Sequence, residues 1–171
     1  MLKYILPVIC LFLIVLRTQN SDLKMKIQKK KQLLKIVLIG EGGVGKTALF
    51  EKITKGKDHK LRTNIRATIG ADFMTKEYEG ITLQIWDTAG QESFQSLGTA
   101  FYRGSDLVLY CYDVTRKSTF DAITTFKTEF IANANVQDPN NFPSILVALK
   151  TDLSDRKVST EEGENFALDQ G

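Results

Sequence analysis

Gly40-Glu41-Gly42-Gly43-Val44-Gly45-Lys46-Thr47 is the stretch whose residue types and spacing most directly imply chemistry. It fits G-x-x-x-x-G-K-[ST] between an apolar run and a helical pattern, so a strand should enter it and a helix should leave it. Glycines allow the backbone to wrap a polyphosphate with its N–H groups turned inward, in conformations that a Cβ would obstruct. The following helix adds the partial positive charge of its N-terminus. Lys46 brings a full charge to the outer phosphates, and the Thr47 hydroxyl is placed to ligate Mg2+. The candidate phosphate-binding set is therefore Gly42, Gly43, Val44, Gly45, Lys46, Thr47 and Ala48.

Trp86-Asp87-Thr88-Ala89-Gly90-Gln91-Glu92 leaves the end of a second apolar run. An acid at the C-terminal end of a strand, facing the phosphate loop, can hold a metal-bound water, which is the role expected of Asp87. Gly90 lets its backbone N–H approach the terminal phosphate, and Gln91 offers an uncharged amide to orient an attacking water.

These groups need a scaffold, and the chain is long enough to build one. Its 171 residues, 43% hydrophobic and 25% charged, suit one domain with a substantial core. Sparse Gly and Pro exclude a collagen-like or wholly disordered chain. The net charge of +3 is too small to imply nucleic acid as a partner. Two cysteines, Cys10 and Cys111, make no disulfide framework and the body of the chain reads as cytosolic; Cys111 reads as a core strand residue. His59, the one histidine, rules out a Ser–His–Asp set elsewhere and lies in a charged run that reads as a solvated loop.

The elements follow from periodicity. Leu33–Ile39, Leu107–Tyr112 and Ser144–Leu149 are short apolar runs of the kind buried on both sheet faces. Phe73–Tyr78 and Ile81–Trp86 flank Glu79-Gly80 as an antiparallel pair. Ser118 with Asp121 predicts a capping box, followed by a core stripe of Phe120, Ile123, Phe126 and Phe130; Ser159 with Glu162 predicts the start of a last helix bearing Phe166. Strands alternating with helices imply a three-layer α/β fold whose sheet is mostly parallel with one antiparallel strand. Residues 1–24 stand apart from the domain expected at 25–171. The apolar stretch Tyr4–Leu16 is too short for a membrane span. It reads as a targeting segment, as an unusual anchor, or as an extension upstream of a start at Met25.

From Lys29 onward the sequence resembles the Rab family of small GTPases, within the Ras superfamily. The phosphate loop and Trp86–Glu92 match its first and third motifs. Thr68-Ile69-Gly70-Ala71-Asp72-Phe73 is similar to its switch I, and Ser93–Gly98 with Phe101–Asp106 to its switch II and the stretch beyond. Ala67–Phe73 with Phe94-Gln95-Ser96-Leu97 is most similar to the late-endosomal branch. The resemblance implies the P-loop NTPase fold, and GTP or GDP bound with Mg2+ held by Thr47 and Thr68. It implies GTP hydrolysis with Gln91, Lys46 and Thr68 as the catalytic set, and a nucleotide contacted by Asp87 and Gly90 at the phosphates and by Lys150 and Asp152 at the base. It also implies a molecular switch in vesicular transport, cytosolic and associated with late-endosomal membranes. An exchange factor, a GTPase-activating protein, a delivery chaperone and effectors would engage the switch regions.

Three departures from the family pattern accompany this. The base motif, Asn-Lys-x-Asp in the family, is Leu149-Lys150-Thr151-Asp152 here. Asp152 retains the charge-assisted pair with guanine, worth roughly 1.5–3 kcal/mol, while Leu149 cannot make the family's hydrogen bonds to base and phosphate loop. Leu61 stands where an aromatic usually covers the guanine, and Ile65 where a tyrosine covers the phosphates. Together these losses amount to about 2–4 kcal/mol, or roughly 30- to 1,000-fold in affinity. The family's last strand, its Ser-Ala-Lys motif, its final helix and its prenylated cysteines have no counterpart after Gly171, which predicts exposed apolar surface near the first helix. No arginine is placed by spacing as a finger, so intrinsic hydrolysis should be slow. Two functions stay open: a GTP-hydrolysing switch, and a degenerate, weakly nucleotide-binding Rab-like interaction module.

Overall fold

In the computed structural model, residues 33–56, 59–60, 71–78, 81–88 and 100–170 are described. Five strands, β1 (Leu33–Ile39), β2 (Ala71–Tyr78), β3 (Ile81–Thr88), β4 (Leu107–Asp113) and β5 (Ser144–Leu149), form one sheet in the order β2-β3-β1-β4-β5. Only the β2–β3 pair is antiparallel. The helices are α1 (Lys46–Lys55), α2 (Lys117–Asp121), α3 (Ile123–Ala134) and α4 (Thr160–Gln170).

Strand alternation sorts the core into two layers. Ile36, Leu38, Leu107, Leu109 and Cys111 face one way and pack with Leu49 and Phe50 of α1. Val37, Ile39, Val108, Tyr110 and Tyr112 face the other and pack with Phe120, Ile123 and Phe130 of α2 and α3 and with Phe166 of α4. β4 is buried along its whole length, as its unbroken apolar run requires. Successive strands depart to opposite sides of β1, which places the loop after it at the switch point of the sheet, where open α/β sheets leave a crevice. The register completes this arrangement. Leu38 lies beside Asp87, and Asp113 beside Leu149, so the loops leaving β1, β3, β4 and β5 share one edge.

Several expectations need correction. Ser118 does not cap a helix. α2 begins one residue earlier with extended backbone at Arg116, and no side chain caps it. Thr119 takes over the fastening: its hydroxyl accepts from the Asp113 amide (3.0 Å) and donates to the Arg116 carbonyl (2.7 Å). The apolar stripe is likewise divided at Ala122 between two helices. Phe120 thereby meets Tyr112 and Phe166, while Phe130 meets Tyr102, Tyr110 and Phe142. His59 is half-buried rather than solvated, its Nε2 3.7 Å from the buried Glu51 carboxylate and its carbonyl accepting from Lys52. Ser159 does cap α4, accepting from the Glu162 amide at 3.0 Å, but the Glu162 side chain pairs with Lys117 instead of returning to the cap. Among the described residues, the exposed large apolar side chains are Leu33, Phe73, Leu153 and Leu168. None lies on α1 itself. No described helix is long and apolar enough to cross a membrane.

Candidate functional site

The loop from Gly40 to Gly45 is held open by its glycines. Gly43 (φ 73°) and Gly45 (φ 113°) occupy left-handed conformations that side chains rarely adopt. A Cβ at Gly40 would lie 2.1 Å from the Cys111 carbonyl oxygen, so the loop can leave the sheet here only without a side chain. α1 starts at Lys46 with no side chain capping it, leaving its first amides available to an anion. Lys46 is folded back under the loop and donates to the carbonyls of Gly40 (2.6 Å) and Glu41 (2.9 Å). Burial lowers its pKa, and the charges of Asp87 and Glu41 act in the opposite direction.

Asp87 lies at the end of β3 with no exposed surface. Neither of its oxygens has a hydrogen-bond partner of normal geometry among the described residues. Burial raises its pKa, opposed by the nearby Thr47 hydroxyl and Lys46 ammonium. A buried carboxylate lacking a full set of donors, beside a hydroxyl, is a hard oxygen site of the kind Mg2+ prefers, so the residues present fit that ion. Thr68, Gly90 and Gln91, the other expected members of this end, lie outside the described residues.

At the opposite end of the shared edge, Leu149 packs toward the loop, its Cδ1 3.6 Å from where a Cβ of Gly45 would stand. Lys150 adopts the left-handed conformation (φ 58°), and its ammonium lies 2.6 Å from the Asp113 carboxylate. Asp152 is exposed in the turn that follows. Asp113 and Arg116 were missed in the sequence reading. Arg116 Nε reaches Asp113 Oδ2 at 3.2 Å, and its Nη2 donates to the Gly42 carbonyl at 3.0 Å. Burial would raise the Asp113 pKa, but hydrogen bonds from Lys150, Thr115 and Arg116 outweigh it and hold the carboxyl at about 2. An acid ending a buried strand, the signal that picked out Asp87, would also have found Asp113. Nothing local in the sequence marks Arg116.

The family model for the Ras family matches residues 35–171. The chain belongs to the Ras family. Within it, the chain is a Rab7-like small GTPase: it is 46% identical over 138 residues to the Ras-related protein Rab-7a of Dictyostelium discoideum, covering 78% of this chain and 66% of the relative. It is 42% identical to the Ypt/Rab-type GTPase Rab7 of Neurospora crassa, covering 84% and 71%. Identity to the Ras-related protein Rab7 of Drosophila melanogaster is 43%, covering 81% and 67%. The chain thus spans about two thirds of the length of these relatives. The Ras-like sheet, with its antiparallel β2–β3 pair, agrees with this membership.

Proposed function

We propose that this Rab-like chain binds GTP and GDP with Mg2+, hydrolyses GTP, and acts as a switch in vesicular traffic at late-endosomal membranes. The observation that carries the reading is the joint geometry of one loop: left-handed glycines, an uncapped helix start, Lys46 beneath and the buried Asp87 carboxylate alongside. When bound, Mg2+ neutralises charge between the outer phosphates. Thr47 and Thr68 would hold it directly, with Asp87 acting through a bound water. Lys46 would exchange its two loop carbonyls for phosphate oxygens. Gln91 would orient water, while Lys150 and Asp152 would receive the base. Exchange factors, activating proteins and effectors would read the switch segments, helped by the half-exposed Phe73, which stacks on Trp86 at 4.8 Å with Phe101 adjoining.

The test is titration of a fluorescent GDP analogue into the purified chain, with and without Mg2+, beside mass analysis of co-purifying nucleotide and a GTP hydrolysis assay. Guanine-selective, Mg2+-dependent binding is expected, together with slow hydrolysis and a loss of binding of at least about 100-fold in Lys46→Ala. Absence of any binding by a chain that folds would overturn the switch reading. It would favour the interaction module.

A further inference from the structure

The family resemblance leaves a gap at Leu149, where a polar side chain would tie the base-binding turn to the phosphate loop. The geometry points to Arg116 as the residue that closes this gap: we propose that an Arg116–Asp113–Lys150 relay is the tether between the two loops, with Arg116 a positioning residue that retains the nucleotide. This rests on the nucleotide-binding reading above.

Every link of the relay is in place. Arg116 Nη2 donates to the Gly42 carbonyl at 3.0 Å, and Nη1 lies 4.0 Å from the Glu41 carboxylate, so the guanidinium spans two consecutive loop residues. Its Nε points back 3.2 Å to Asp113 Oδ2. The same oxygen receives Lys150 Nζ at 2.6 Å, so one carboxylate oxygen joins the loop after β1 to the turn after β5. Asp113 is only 1% exposed, and its other oxygen accepts from the Thr115 amide (2.9 Å) and hydroxyl (2.7 Å). The carboxylate is therefore fixed and charged, and can hold two cations at once. A guanidinium suits the task because its donors diverge in a rigid plane, which an ammonium cannot reproduce. Leu149, meanwhile, turns an apolar side chain toward the loop, its Cδ1 3.6 Å from where a Cβ of Gly45 would stand.

The experiment compares wild type, Arg116→Ala, Arg116→Lys, Leu149→Asn and the Arg116→Ala/Leu149→Asn double variant. Dissociation of a fluorescent GDP analogue in Mg2+ should be about 10-fold faster in Arg116→Ala, a lost charge-assisted hydrogen bond's worth. Arg116→Lys should recover little of this. In the Leu149→Asn background, where a polar tether is restored, the effect should shrink to less than about threefold. Amide hydrogen exchange is read in parallel on the nucleotide-free proteins. Exchange over residues 40–46 should quicken in Arg116→Ala while β4 stays protected, which separates loop release from misfolding. A dissociation rate within twofold of wild type would overturn retention, as would an equal effect in both backgrounds overturn the replacement of the missing tether. If wild type binds no nucleotide, the retention role falls together with the switch reading. Faster loop exchange in Arg116→Ala then upholds the tether alone, and unchanged exchange overturns that too.

Discussion

Asp87 and Asp113 are carboxylates in similar places, at the ends of β3 and β4, the two strands that flank β1, with opposite titration behaviour. Asp87 is buried without a full complement of donors, and burial raises its pKa. Its charge therefore costs stability at neutral pH in the nucleotide-free protein. Asp87→Asn should raise the melting temperature of that form by a few degrees, about 1–2 kcal/mol, while abolishing Mg2+-dependent tightening of GDP binding. Scanning calorimetry without nucleotide and titration with and without Mg2+ read the two effects separately. Asp113, held at about 2 by Lys150, Thr115 and Arg116 against the opposing effect of burial, behaves in the reverse sense. The stability it contributes is fully present above its ordinary value of 3.8 and is lost as pH falls from there towards 2. Denaturation midpoints measured from pH 5 to pH 2 should thus fall more steeply for wild type than for Asp113→Asn.

At the level of elements, α4 is seated on the sheet through a close contact at Gly163. A Cβ at Gly163 would stand 2.8 Å from the Tyr112 hydroxyl, and Tyr112 is itself packed edge-on against Phe120. Gly163→Ala is expected to destabilise the domain by about 1–3 kcal/mol in urea denaturation through overpacking, despite alanine's better helix propensity. Tyr112→Phe, which removes the offending oxygen, should return most of that loss in the double variant. The opposite outcome, a gain in stability from Gly163→Ala alone, would mean that α4 is free to shift on β5. The Lys117–Glu162 and Lys117–Asp121 pairs lie at the surface and add little by comparison.

For the whole molecule, the site is assembled from loops of four strands, so a ligand there should stabilise the fold as a unit. Saturating GDP with Mg2+, at about 1,000 times its dissociation constant, should add about 4 kcal/mol to the unfolding free energy. Chelation of Mg2+ should remove most of it. A melting temperature indifferent to GDP, GTP and Mg2+ would count against the switch and for the interaction module.

Much of this architecture was present in the residues themselves. The loop Gly40–Thr47 announces its chemistry because glycine, lysine and threonine at that spacing have few other uses, and the apolar runs declare buried strands because no other local structure hides both faces. The same local reasoning misplaced the cap at Ser118 and merged α2 with α3, since Thr119's fastening to Asp113 depends on a neighbouring strand end. It also put His59 in solvent, because the charged run around it hides the approach of the buried Glu51, eight residues earlier on α1. The relay through Arg116 belongs wholly to the tertiary structure: 74 residues separate it from the Gly42 carbonyl it binds. Local pattern encodes what each segment wants to bury or wrap. Only the sheet order, which brings the ends of β1, β4 and β5 side by side, decides which charges meet there.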